Sequence, residues 1–237
     1  MPAPRTAPPS QPYFSKETFR FLRTLQRNNR RDWFEAHKAE WLTHARDPML
    51  RFIADFALRI GKLSPHFLAD PRPVGGSMFR IYRDVRFAKD KSPYKTHVAA
   101  HFPHVESEDV HCPGFYLHLE PGEVFFAAGI WHPDAQALAK IRTTIVRDPA
   151  AWLRVAGERP LAKAELRTSG ESLKRPPRGF DVEHACIEDL KRKDFCVVST
   201  ADEAAACAPD FLDWFTGRCR AATPYVQWLC ASLDQPF

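Results

Sequence analysis

Phe79-Arg80-Ile81-Tyr82-Arg83-Asp84-Val85-Arg86-Phe87-Ala88-Lys89-Asp90-Lys91-Ser92-Pro93-Tyr94-Lys95 is the hinge of this sequence. Before it, apolar residues recur every three or four positions; from it onward they alternate, and a change of period from 3.6 to 2 marks a change from helix to strand. Residues 79–87, 96–102, 114–120 and 123–131 each alternate and are bounded by turn residues. The pattern predicts neighbours in a largely antiparallel sheet, with Glu120-Pro121-Gly122-Glu123 as a short hairpin connection.

Working outward, three helices are expected ahead of the sheet. Ser15 is a good N-cap for a helix carrying Phe19, Leu22 and Leu25 on one face and ending at Asn28-Asn29. A second is expected over 30–46, with Trp33, Phe34, His37, Trp41 and Leu42 along one side, and Pro48 fits the first turn of a third. After the strands, a helix from Asp134 and a short one after Pro149 are expected, then irregular chain over 161–180 with a basic cluster at Lys174, Arg175 and Arg178. The basic run Lys191-Arg192-Lys193 precedes a strand over 195–199, and two helices close the chain. The expected fold is α+β: an N-terminal three-helix layer, a central largely antiparallel sheet and C-terminal helices. With no repeat and no linker, residues 14–237 read as one domain and the proline-rich residues 1–13 as a disordered tail.

The 237 residues are 44% hydrophobic and 12% aromatic, which excludes wholesale disorder. A mean hydropathy of −0.40, with no long apolar run, excludes a membrane span, and the first twelve residues lack the apolar stretch of a secretory signal. Cys112, Cys186, Cys196, Cys207, Cys219 and Cys230 include no C-x-x-C pair, so zinc-ribbon and dithiol readings have no support; Cys196 and Cys230 read as small apolar core residues. A cytoplasmic location is expected.

The net charge of +5 is mild, but its distribution is not. Residues 80–95 hold six basic residues against two acidic ones, a local excess of four, and this points to an anionic partner. On a strand, Phe79, Ile81, Arg83, Val85 and Phe87 would share one face, making Arg83 a cation among apolar neighbours. A buried guanidinium costs several kcal/mol unless paired. Arg80 and Arg86 would flank Asp84 on the other face, while residues 88–93 turn the chain and present Lys89, Asp90 and Lys91. Two readings stay open. Arg83, Asp84, Arg86 and Asp90 form a structural salt-bridge network, or Arg80, Arg83, Arg86, Asp90, Lys91, Tyr94 and Lys95 line a pocket for an anionic, phosphorylated small molecule.

This motif, preceded by Asn28-Asn29-Arg30-Arg31-Asp32-Trp33-Phe34 and followed by Gly114-Phe115-Tyr116-Leu117-His118-Leu119 and Gly129-Ile130-Trp131, resembles the conserved hypothetical proteins of domain of unknown function 2461. The resemblance spans about residues 14–235 and implies no activity, substrate or catalytic residue. The sequence departs from the family pattern at Ala88, where serine is usual, and at Ala127 and Ala128, where glycine is common.

Six of the ten histidines fall between 97 and 132. Tyr116 and His118 share a strand face, as do His97 and His101. Neither H-E-x-x-H nor H-x-H occurs, and His104-x-Glu106 with Cys112 lacks the second half of a zinc-deaminase motif, so no metal site is expected. His118 and Asp84 are the candidate general bases if the protein is an enzyme, a point left open. Phosphate-binding loops, dinucleotide fingerprints and nucleophile elbows are absent, and no cofactor is assigned. Trp33, Trp41, Trp152, Trp214 and Trp228 stand at helical spacings and read as core residues. The alternatives to an anion-binding protein are a nucleic-acid binder, joining 80–95 to the clusters at 174–178 and 191–193, and an interaction or scaffold protein with a structural motif.

Overall fold

In a computed structural model of the chain, which describes residues 11–106 and 111–237, the first helix is set by Ser15. Its hydroxyl accepts from the Glu17 amide while Thr18 returns a bond to the Ser15 amide, a reciprocal cap that satisfies amides the helix itself leaves unpaired. Helix α1 (Lys16–Arg27) buries Phe19, Phe21, Leu22 and Leu25. The helix expected over 30–46 is instead broken into α2 (Arg31–Ala36), α3 (Lys38–Trp41) and a π-helical turn (Leu42–Arg46). The break falls at His37, whose ring stacks on Trp33 at 4.1 Å and whose Nδ1 lies 2.8 Å from the Trp33 carbonyl. Helix α4 (Asp47–Ile60) carries Pro48 in its first turn, where a missing N–H removes no helical bond.

The expected tail lies mostly outside the described residues, but Tyr13, placed at its end, is buried, and its hydroxyl donates to Asp55 at 2.5 Å.

The remaining elements are β1 (Val98–Pro103), β2 (Gly114–Glu120), β3 (Glu123–Ile130), α5 (Ala135–Arg147), α6 (Pro149–Ala156), α7 (Glu158–Lys163), β4 (Arg167–Ser169), α8 (Ile187–Leu190), β5 (Phe195–Ala201), α9 (Glu203–Ala206) and α10 (Phe211–Ser232). The strands form one antiparallel sheet in the order β1-β2-β3-β5-β4. Helix α7 and the short edge strand β4 occupy the stretch read as irregular.

Register puts one apolar face together. Val98, Ala100 and Phe102 on β1, Phe115, Leu117 and Leu119 on β2, Val124 and Phe126 on β3, and Phe195 and Val197 on β5 are all buried. Helices α4 and α10 cover this face. Phe56 packs edge-on against Phe102 at 4.6 Å, and Phe215 does so against Phe56 at 4.9 Å and Phe126 at 5.6 Å. Burying such rings stabilises the fold by about 1.5–3 kcal/mol apiece. The mixed α+β class is therefore present as the sequence pattern predicts, with helices before and after the sheet in the chain.

Candidate functional site

Residues 79–87 do not form the expected strand. Residues 77–79 extend the sheet beyond β1, with the Phe79 amide donating to the Ala99 carbonyl and the His101 amide to the Ser77 carbonyl. The chain then leaves the sheet as an arm. Its base is closed by the Arg83 amide on the Pro93 carbonyl, 2.9 Å, and the Lys95 amide on the Ile81 carbonyl, 2.7 Å.

Beyond that base the aspartates take over the backbone. Asp84 Oδ1 accepts from the Arg86 amide at 3.2 Å, and Asp90 Oδ1 from the Ser92 amide at 2.9 Å. Such local bonds compete with a ladder and end the strand. Phe87, expected on the apolar face, is 96% exposed.

Both carboxylates of the arm are paired within it. Arg83 pairs with Asp90 at 2.5 Å, with side chains 30% and 61% exposed, so Arg83 is not the buried cation the alternation implied. Arg86 grips Asp84 at 2.6 Å, and Lys91 Nζ donates to the Val85 carbonyl at 2.9 Å. Hydrogen bonds from the Arg86 side chain and amide hold the Asp84 carboxyl at about 2, and those from Ser92 and Arg83 lower that of Asp90 further still. Both groups are fully ionised at neutral pH, which makes Asp84 a poor proton acceptor.

Opposite the helix-covered face, the sheet carries a cleft of about 500 Å³. Alternation delivers its lining: His97 and His101 beside β2's Tyr116, then Phe125 and Ala127 on β3, Cys196 and Val198 on β5, and Ser169 on β4. Phe79 and Lys95 bound it at the arm's base, and Trp131 stands beyond the end of β3. Gly129 is held at φ +121°, where a Cβ would sit 2.0 Å from the Phe195 carbonyl oxygen, so the β3–β5 approach on the cleft floor requires glycine. Cys196 belongs to this lining rather than to the core, and its burial pushes the thiol up to about 12.

The one ammonium in this lining is Lys95. Its Nζ lies 4.8 Å from the centroid of Phe79, and burial, with the nearby charge of Arg80, pulls its pKa below the ordinary value. Among the described residues it has no carboxylate partner within ion-pair distance.

At the β1–β2 end of the cleft stands a chain of polar groups. Residues 116, 118 and 120 share the open face of β2. The Tyr116 hydroxyl meets His118 Nδ1 at 3.0 Å, and His118 Nε2 meets Glu120 Oε2 at 3.3 Å. His97, opposite Glu120 by extension of the β1–β2 register, brings Nδ1 within 4.0 Å of the same oxygen. The other carboxylate oxygen, Oε1, accepts from Thr96 Oγ1 at 2.6 Å and from Gln26 Nε2 at 3.1 Å.

Burial, reinforced by the neighbouring His118, pulls His97 down to about 4, and burial outweighs Glu120 in lowering His118. Burial also pulls the Glu120 carboxyl upward, but hydrogen bonds from Thr96, His118 and Gln26 overcome it and leave it below the ordinary value. Two neutral imidazoles thus face one carboxylate at pH 7.

The profile of a family described as conserved hypothetical proteins, DUF2461, matches residues 17–228. The chain belongs to the DUF2461 family. No curated protein matches the sequence. In this DUF2461 protein the charged residues and the tyrosine singled out between 80 and 95 separate into three groups. Lys95 lines the cleft and Arg80 lies close enough to act on it electrostatically. Arg83, Asp84, Arg86, Asp90 and Lys91 sit together on the arm. Tyr94 is buried under the arm, stacked on Phe34 at 4.1 Å, with its amide donating to Asn29 Oδ1.

His118 faces the cleft side of β2, next to Tyr116. The partner missed from sequence is Glu120, which ends the strand expected over 114–120 and opens the hairpin connection; its place two residues after His118 puts it on the same face. The aromatic walls Phe125 and Trp131 were legible only as strand residues. The basic runs 174–178 and 191–193 adjoin through the bridge between Ser172 and Arg192, on the β4 side of the sheet, whereas the arm leaves from the β1 side.

No helix among the described residues is long and apolar enough to cross a membrane.

Proposed function

We propose that this DUF2461 protein binds a small organic anion in the cleft on the open face of its sheet, the anionic group on Lys95 and a flat apolar body between Phe79, Tyr116, Phe125 and Trp131. The observation that carries this reading is Lys95: a half-buried ammonium over an aromatic ring, without a carboxylate partner among the described residues. A desolvated cation is stabilised by any anion that reaches it. Ring edges and faces supply the remaining contact area, as in small-molecule sites generally. Arg80 adds a second positive charge at the same rim, so carboxylates and phosphate esters are both accommodated.

In an enzymatic version of this reading His118, with no ion bound to it, is the general base, its Nδ1 reached from the cleft through the Tyr116 hydroxyl. Glu120 fixes its orientation, the imidazole is neutral at pH 7, and Tyr116 stands beside it as a hydrogen-bond donor.

A nucleic-acid track receives less support. Lys191, Arg192 and Lys193 are paired with Glu188, Asp189 and Glu171, and this cluster and the arm lie on opposite edges of a five-stranded sheet, about 19 Å apart at the usual strand spacing.

The test is a thermal-unfolding and calorimetric screen of aryl carboxylates, aryl phosphates, inorganic phosphate and short oligonucleotides against wild type and Lys95→Met. An aryl anion at 100 times its dissociation constant stabilises the fold by about 2.7 kcal/mol. The expected result is a selective shift in wild type that Lys95→Met loses. A shift given only by oligonucleotides and falling steeply with salt, or equal affinity in both proteins, overturns the reading.

A further inference from the structure

We infer that His97, His118 and Glu120 form a binding site for one divalent first-row transition-metal ion, of the zinc or iron(II) type, at the β1–β2 end of the cleft. The three donor atoms already lie within 4.8 Å of one another. Around a tetrahedral ion with bonds of about 2.0–2.2 Å, ligand atoms stand about 3.3–3.6 Å apart. His118 Nε2 and Glu120 Oε2 meet that spacing at 3.3 Å, and His97 Nδ1, at 4.0 Å from the same oxygen, reaches it with a small side-chain rotation. Two imidazoles and one carboxylate leave further coordination positions open, the donor set of catalytic rather than structural sites.

The outer contacts are those a metal site needs. Carboxylate oxygen Oε1 is occupied by Thr96 and Gln26, which turns Oε2 toward the histidines. His118 is clamped on both sides: its ring stacks on Phe125 at 4.6 Å and 14°, and its Nδ1 meets the Tyr116 hydroxyl. Ligating histidines generally hold their second nitrogen in such a bond. On metal binding the His118 proton moves from Nε2 to Nδ1, where the Tyr116 oxygen accepts it, so the imidazole stays neutral. The charges acting on the cluster are Glu120 and Glu123 against Lys95, a balance that favours a cation.

Because His97 and Tyr116 line the cleft, the open coordination positions face the same space as Lys95. The site was invisible as a linear motif. Its ligands come from a cross-strand pair and an i, i+2 step, not from a helical H-E-x-x-H.

The experiment uses the full chain, stripped with EDTA and titrated with Zn²⁺ and Co²⁺. The expected result is one ion per chain after desalting, a Co²⁺ spectrum of low-symmetry nitrogen and oxygen coordination, and a higher melting temperature. Glu120→Gln and His97→Gln should each weaken binding by more than the roughly 10–100-fold that loss of an outer contact costs. His101→Gln, on the same strand face, should leave it unchanged. If either variant fails to fold, nitrogen NMR of wild type decides: Zn²⁺ must shift the imidazole signals of His97 and His118. Absence of stoichiometric binding, shifts confined to other histidines, or full affinity in both variants overturns the site. Lys95→Met, which removes a repelling charge, should bind the ion at least as tightly as wild type, so this inference and the anion-cleft reading fail separately.

Discussion

In the arm, a partly sheltered Arg83 rests on the exposed Asp90 and an exposed Arg86 on Asp84; at the other end of the same segment, Lys95 lies half-buried on Phe79 with no carboxylate partner among the described residues. The arm has the higher charge density, the cleft the greater unmet electrostatic need. Each arm carboxylate finds its partners within seven residues, and at least one member of each pair is well exposed, so these pairs contribute little. Glu120, by contrast, gathers Gln26, Thr96, His97 and His118 from three parts of the chain into a half-buried cluster. Charge counted along a sequence therefore locates a ligand site less well than charge weighed against burial and partners.

The largest effect should separate the two regions by stability. Glu120→Ala leaves the Thr96 hydroxyl, the Gln26 amide and His118 without their acceptor and should cost about 1–3 kcal/mol, a fall of roughly 3–10 °C in melting temperature for a chain of this size. Asp84→Ala should not move the melting temperature measurably, because its pair is exposed. Equal losses in the two variants would erase the distinction.

Next in size is the pH dependence of ligand affinity. Burial, then Arg80, lowers the pKa of Lys95 in the free protein, so the anion partner discharges below the ordinary lysine value of 10.5. Affinity for an aryl anion, followed by calorimetry, should be highest at neutral pH and weaken as pH rises through that lowered pKa, and this dependence should vanish in Lys95→Met. The sign is fixed by linkage: an anion that binds the charged form raises the lysine pKa and takes up protons. For stability without ligand the sign is opposite. A lysine with a depressed folded pKa holds fewer protons than in the unfolded chain, so folding gains as pH rises through the window between that pKa and 10.5.

The smallest effect concerns reactivity. Cys196 lines the cleft yet its thiol is pushed up to about 12, so alkylation by iodoacetamide at pH 8 should be far slower than in the unfolded chain. Rapid labelling of Cys196 in the native protein, read by mass spectrometry, would mean that the cleft floor is more open and more polar than described.

Particular residues show what the sequence made legible. Strands β2, β3 and β5 follow directly from alternation, because their two faces meet different surroundings; the α1 cap follows from Ser15. The arm was misread because Phe79, Ile81, Val85 and Phe87 alternate convincingly while Asp84 and Asp90 offer the backbone a local alternative that a pattern count ignores. His118 was found from its strand face. Glu120 was not, since it stood where the strand over 114–120 meets its hairpin connection and nothing in the pattern marked it as a partner of His118, and His97 joins the cluster only once the β1–β2 register is known. A cleft assembled from five strands has no linear signature.

The most direct test of the account is calorimetric titration of the aryl anion giving the largest thermal shift into wild type, Lys95→Met and the double variant Arg83→Gln/Arg86→Gln. The account predicts wild-type affinity in the double variant and at least a tenfold loss in Lys95→Met, the effect of removing a charged hydrogen-bond partner worth about 1.5–3 kcal/mol. Loss of binding in the arm variant with full affinity in Lys95→Met would contradict it and return the anion site to the arm.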